Sequence, residues 1–255
     1  MPQESLYNIE YLEQTMKLFR EMKEQSYAPF LQVKEGVVAD IGCGTGQDVI
    51  NLSALLPETI QLIGIDANEE MIQKANSLQP DASRVSFRLG NAENLPFETD
   101  YLSGIRNERL IQHVPDLDKA FSEFYRVLKP GAPLTIVETD WNSLTLYNAP
   151  PEFSHRIRNY YMFDNVPNGS AALHLSYYLR STGFREIKMQ VYPVVSRALQ
   201  QVVEVARLGF ILQEMQNKGF ISAEELHTLN ESLEYADKQQ HFVSSVNMVI
   251  ATAVK

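Results

Sequence analysis

One cysteine, Cys43, stands in the whole chain of 255 residues, so neither an intramolecular disulfide nor a thiolate metal cluster can be built. Positive charge is scarce as well. The 22 Lys and Arg face 32 Asp and Glu, a net charge of −10, which excludes the electrostatic footprint of a nucleic-acid binder. No apolar run approaches the length that crosses a bilayer. The opening stretch MPQESLYNIE lacks the basic-then-apolar order of a secretory leader. Internal repeats, low-complexity tracts and heptads are missing too, and no His spacing (His113, His155, His174) suits a metal, so no metal is expected. On these absences a soluble, cytoplasmic protein is expected. Its 44% hydrophobic and 21% charged residues suffice for an ordinary core, and its length suits one large α/β domain with a lid or insertion.

The dinucleotide pattern G-x-G-x-x-G is also missing, and what stands in its place is informative. In VVADIGCGTG (37–46) an apolar run ends in Asp40, and the chain then turns through Gly42, Cys43, Gly44 and Gly46 into a helical pattern at Gln47. The spacing predicts strand, glycine turn and helix N-terminus, with backbone close enough for a ligand to lie on it. A carboxylate at Asp40 would repel a pyrophosphate but suits an ammonium or a sulfonium. A second apolar strand, 60–65, closes in Asp66, followed by Ala67. An acid at that remove can accept from both hydroxyls of a ribose. Cys43 reads as a small residue filling the turn.

Strand and helix then alternate. Strands are expected at 37–41, 60–65, 84–89, 101–106 and 132–138, and helices at 8–26, 47–56, 68–78 and 117–128, with a short helical piece at 29–33. Asn68 and the Ser222/Glu225 pair are expected caps. Alternation of this kind gives a parallel sheet with helices on both faces and its ligand edge at the carboxyl ends of the strands. In the second half, helices are expected at 152–163, 170–181, 197–218 and 222–237, and strands at 184–194 and 241–254. Residues 142–168 with the two long helices suggest a lid.

The glycine turn with its two acids resembles the class I methyltransferases that use S-adenosylmethionine (SAM). GNAENLPFETD (90–100) resembles their adenine-contacting segment, with Asn91 where an aspartate is usual and the Ala92 N–H beside it. AFSEFYRVLKPGAPLTIVETDW (120–141) resembles the family's following helix and strand. RNERLIQHVPD (106–116), with the later Asp140-Trp141, is similar to the narrower group of ubiquinone and menaquinone methyltransferases. The resemblance implies an α/β, Rossmann-like, doubly wound sheet of seven mostly parallel strands with helical N-terminal and C-terminal lid elements. It implies a single domain over 1–255: a helical cap at 1–35, a SAM-binding core at 36–141, an insertion at 142–169, and 170–255 completing the sheet with a helical lid at 197–237.

SAM is therefore the expected cofactor and a small molecule the expected acceptor, methylated at oxygen or carbon. A protein acceptor, or SAM binding without catalysis, is the alternative; a nicotinamide oxidoreductase is disfavoured by Asp40 and the missing glycine. The cofactor-binding candidates are Asp40, Gly42, Cys43, Gly44, Asp66, Ala67, Asn91, Ala92 and Arg106. The last has two candidate partners, the cofactor's carboxylate and Glu108. His113 is the candidate base, since its ordinary pKa lies near neutrality, with simple packing as the alternative. Trp141 and Tyr161 are candidates to line an acceptor pocket, against the alternative that such aromatics are core. Arg109 is expected to pair with Glu108 or Glu138. No nucleic acid and no membrane span are expected, and the oligomeric state stays open.

Overall fold

The structure, a computed structural model, describes residues 19–78, 83–147 and 149–255. Seven strands form one sheet in the order β3-β2-β1-β4-β5-β7-β6. They are β1 (Gly36–Ile41), β2 (Ile60–Asp66), β3 (Val85–Leu89), β4 (Gly104–Glu108), β5 (Pro133–Leu146), β6 (Arg185–Ser196) and β7 (Ser244–Val254). β1 pairs in parallel with β2 and β4, β2 with β3, and β4 with β5. The strand order therefore reverses between β1 and β4, and a ligand crevice forms outside their carboxyl ends at such a point. The helices are α1 (Arg20–Tyr27), α2 (Gln47–Leu55), α3 (Glu69–Leu78), α4 (Leu117–Val127), α5 (Pro151–Phe163), α6 (Leu175–Thr182), α7 (Leu199–Val205), α8 (Leu208–Asn217) and α9 (Ala223–Lys238). Of the helix expected over 8–26, residues 8–18 lie outside the described part.

The chain divides into two compact units, and β5, β6 and β7 contribute to both. The first holds Glu21–Glu138, Ala171–Val191 and Val249–Lys255. Its central strands β1, β2 and β4 bury both faces, as parallel strands do. Val38, Ile60 and Leu62 belong to one core cluster with Phe30 and Leu52, whereas Ala39, Ile41, Ile63 and Ile65 belong to another with Phe121 and Phe124. That is the period of two along a strand. Caps fix the helices: Asn68 Oδ1 accepts from the Glu70 and Met71 N–H groups, and Asp116 Oδ1 from Lys119.

The second unit includes Thr139–Ser170 and Tyr192–Met248, with its own core of Leu144, Leu146, Phe153, Tyr160, Ile211, Met215 and Leu233. Here the structure departs from the expected elements. β5 continues to Leu146, because Leu144 and Leu146 alternate into this core. The helix expected over 197–218 is two, α7 and α8. Arg207 takes the left-handed conformation at φ +54°, and the carbonyl of Ala206 accepts the Tyr161 hydroxyl. The break rotates Leu208, Ile211, Leu212 and Met215 into the core. The capping box of α9 is present, Ser222 Oγ with the Glu225 N–H and Glu225 Oε2 with the Ser222 N–H. The fourth strand starts at Gly104 rather than 101. Tyr101 and Leu102 N–H groups are drawn to the Val127 carbonyl at the end of α4 instead.

Candidate active site

At the end of β1 the backbone turns back on β2. The N–H groups of Gly42 and Cys43 both donate to the Ile65 carbonyl, at 2.7 and 3.0 Å. Gly42 has φ +78° and Gly46 φ +80°, and a Cβ on Gly46 would meet the Phe87 ring at 2.4 Å, so glycine alone fits there. The Cys43 thiol is buried in the turn, and burial raises its pKa well above the ordinary value, which makes it packing rather than nucleophile.

Asp66 closes the turn from the other side. Its Oδ2 accepts from the Gly44 N–H and its Oδ1 from the Asn68 N–H, each at 2.8 Å. Two backbone bonds lock the carboxylate, and each oxygen keeps a second lone pair for a ligand hydroxyl. Ala67 beside it is exposed. Across the loop after β3, Asn91 is exposed and Ala92 buried. Asn91 Oδ1 accepts from Glu93 N–H at 2.9 Å, and Leu95 N–H is held by Glu123 Oε2 at 2.8 Å, so the loop is braced in place.

Below the turn lies a buried charge cluster. Arg106 is fully buried, and every guanidinium nitrogen has a protein partner: Nε on Ser26 Oγ at 3.0 Å, Nη1 near Asp40 (3.4 Å) and Asp48 (3.3 Å), Nη2 on Glu108 at 2.5 Å. Its guanidinium also stands 5.2 Å from the Tyr27 ring centroid. Of the two partners weighed for Arg106, the structure supplies Glu108. Arg106 is thus a fully buried cation beneath the site, and each of its nitrogens already has a protein partner. Lys23 bridges Asp48 and Glu108, 2.7 Å from each, and the Tyr27 hydroxyl donates to Asp48. Burial pushes Asp48 and Glu108 upward, but Arg106 and Lys23 outweigh it and hold both below the usual carboxylate range. Burial raises Asp40 to about 7, and the pull of Arg106 does not offset it.

His113 ends a 3-10 turn, Ile111–His113, after β4. Burial first, and the Arg109 charge second, lower its pKa to about 4. The neutral-range titration expected from its type is therefore displaced, because a half-buried imidazole beside a guanidinium resists a proton. The preceding Gln112 N–H donates to Glu138 Oε2, and Glu138 is fully buried. Arg109 lowers the Glu108 carboxyl through its charge.

In the second unit, Trp141 and Tyr161 stack with centroids 4.2 Å apart. Tyr161 is 1% exposed and spends its hydroxyl on Ala206, so in this structure it is a core residue with no face to offer a pocket.

Lys23, Tyr27 and Asp48 were missed in the sequence, and Glu138 was weighed there only as a partner for Arg109. Asp48 carried one signal, its place in the first helical turn after Gly46. Lys23 carried none, because its partners lie 25 and 85 residues away.

Comparison with known proteins agrees with this geometry. The pattern of a family described as a methyltransferase domain matches residues 32–220. A demethylmenaquinone methyltransferase of Lactiplantibacillus plantarum is 35% identical over 123 residues, 47% of this chain and 52% of that protein. The O-methyltransferase resE of Aspergillus sclerotiorum is 28% identical over 234 residues, 84% of this chain and 85% of its own. The chain spans about half the length of several other curated relatives. The solved structure of YcgJ from Bacillus subtilis matches in fold with a TM-score of 0.63 at 19% identity, covering 91% of this chain and 98% of that one. Among the described residues no helix is long and apolar enough to cross a membrane. With its glycine turn between two acids at the point where the strand order reverses, and the family pattern across most of its length, the chain belongs to the class I SAM-dependent methyltransferases and resembles their quinone-methylating group.

Proposed function

We propose that the protein transfers a methyl group from SAM to the oxygen or carbon of a small-molecule acceptor. One observation carries the reading: Asp40 and Asp66 flank a glycine turn at the carboxyl ends of β1 and β2, and Asp66 is locked by two backbone bonds with lone pairs to spare. The residues suit SAM in charge as well, because three carboxylates share two cations around Arg106, leaving one carboxylate in excess to answer a cationic ligand. When bound, SAM supplies an electrophilic methyl whose leaving group is neutral. The protein's share is position and exclusion of water.

In this reading Asp66 takes the ribose hydroxyls, with Ala67 alongside. Gly42, Cys43 and Gly44 present backbone to the methionine end, Asp40 faces its positive charge, and Asn91 with Ala92 holds the adenine. Asn91 Oδ1 already bonds Glu93 N–H, so its second lone pair is the one left for the adenine amino group. Arg106 acts through its charge. A small acceptor is supported by the two relatives, one a demethylmenaquinone methyltransferase and the other an O-methyltransferase. Titration calorimetry should show micromolar SAM binding, about −8 kcal/mol, that NADH does not compete away. Phenols and quinols should then take up labelled methyl. Binding of NADH without SAM would overturn the assignment, and labelling of protein alone would favour a protein acceptor.

His113 is proposed as the group that receives the acceptor's proton. An imidazole with a pKa of about 4 is neutral above pH 5 and so is in the accepting form, though a weak base. His113→Gln should keep SAM affinity and melting temperature, and lower kcat by about 10², the low end for base catalysis. The kcat profile of the wild type should carry an acid limb near pH 4 that the variant lacks. Full turnover with an unaltered profile would leave His113 a packing residue.

A further inference from the structure

The cluster beneath the glycine turn does not balance. Asp40, Asp48 and Glu108 oppose Lys23 and Arg106, and all five side chains are withdrawn from water. The two cations are unequally shared. Glu108 takes the shortest contacts, 2.5 Å from Arg106 and 2.7 Å from Lys23. Asp48 has Lys23 at 2.7 Å, Arg106 at 3.3 Å and the Tyr27 hydroxyl. Asp40 meets the cluster at 3.4 Å, through the same Arg106 nitrogen that Asp48 uses. An excess carboxylate in a dry place takes up a proton in preference to standing unpaired, and the one with the poorest contact takes it.

We propose that Asp40 holds a proton in the cofactor-free protein and releases it to solvent when the cofactor's positive charge arrives beside it. This rests on the reading of the glycine turn as the cofactor site. The groups facing Asp40 leave it alone to titrate near neutrality. From α1, Tyr27 is held protonated by burial and by Asp48. From the turn, the Cys43 thiol is held protonated by burial and by Asp40 itself. From α2 and β4, Asp48 and Glu108 stay ionised because Arg106 and Lys23 hold them low. Arg106 stays charged against burial because three carboxylates surround it, and Lys23 is engaged with two of them. Burial places Asp40 itself at about 7. The consequence is that cofactor exchange is coupled to pH. Acid favours the empty, protonated site; base favours the charged site that takes a cation.

The test needs only the wild-type protein and calorimetry in two buffers of different ionisation enthalpy. SAM binding should release about 0.9 proton per site at pH 6 and under about 0.1 at pH 8.5. Kd should weaken about tenfold per pH unit below 7 and level off above it. Adenosine, which lacks both cationic groups, should release none. S-adenosylhomocysteine separates the two sources of charge: release equal to SAM's assigns the ammonium, and its absence assigns the sulfonium. Asp40→Asn should flatten the pH dependence and abolish release. Glu108→Gln, which removes a competing carboxylate, should move the window to lower pH while SAM still binds at pH 8.5. A wild-type Kd that is flat from pH 5.5 to 8.5 with no buffer dependence would overturn the proposal, as would proton release that persists in Asp40→Asn. Failure of SAM to bind even at pH 8.5 would instead sink the reading of the site on which the proposal stands.

Discussion

Replacing Arg106 with leucine should destabilise the protein by about 3 to 5 kcal/mol, which chemical denaturation would read as a large fall in midpoint with little change in slope. The size follows from what is left behind. Arg106 is fully buried and touches three carboxylates, so its loss leaves Asp40, Asp48 and Glu108 facing Lys23 alone in a dry interior. Removing one partner of a buried pair strands the other, and here it strands several. The pH dependence has a definite sign. Asp48 and Glu108 are depressed in the folded protein, so the stability they contribute is present above their unfolded pKa values near 4 and is lost as pH falls. Asp40 is raised, so its contribution runs the other way, present at low pH and lost as pH rises through about 7. The gap between wild type and Arg106→Leu should therefore be widest above pH 7 and should narrow toward pH 4, where the stranded carboxylates neutralise. A variant with wild-type stability at pH 8 would show that the cluster contributes nothing to the fold. Arg106→Lys should be no rescue, because an ammonium cannot reach Ser26, the two aspartates and Glu108 from one position as the planar fork does.

Asp66→Ala should weaken SAM binding by about 2 to 4 kcal/mol, roughly 30- to 1,000-fold, while the fold survives. The carboxylate is partly exposed at the end of β2, so truncation opens no large cavity. Two things are lost together: the acceptors for the ribose hydroxyls, and the clamps on the Gly44 and Asn68 N–H groups. Asp66→Asn separates them. It keeps one acceptor oxygen and gives up the charge, so it should fall between wild type and alanine. Calorimetry reads the affinity and thermal unfolding without ligand reads the turn. An unchanged Kd in Asp66→Ala would make Asp66 a brace of the glycine turn and no more.

The helix-starting caps show how far local information goes. Asn68 and the Ser222/Glu225 pair act as the chain suggests, because a cap is settled within three residues. The first four strands and the helices between them are legible for a similar reason: apolar runs bounded by glycine, acid or proline leave few other folds open. The second half is less so. Nothing near Ala206 says that the helix must break there, since the partner that draws its carbonyl away is Tyr161, 45 residues earlier. Likewise the extension of β5 to Leu146 depends on a core that Leu144 and Leu146 share with residues of α8 and α9.

By itself, then, the sequence determined the Rossmann-like sheet, the glycine turn with its two acids, and the family, because each is written in short-range pattern and spacing. Only the tertiary structure decided which charges meet. It took Arg106 from a possible ligand of the cofactor to the hub of a buried cluster, brought Lys23 from 85 residues away onto Glu108, and took His113 far from its ordinary pKa. Charge and pKa depend on distance in space and on burial. The order of residues along a chain records neither.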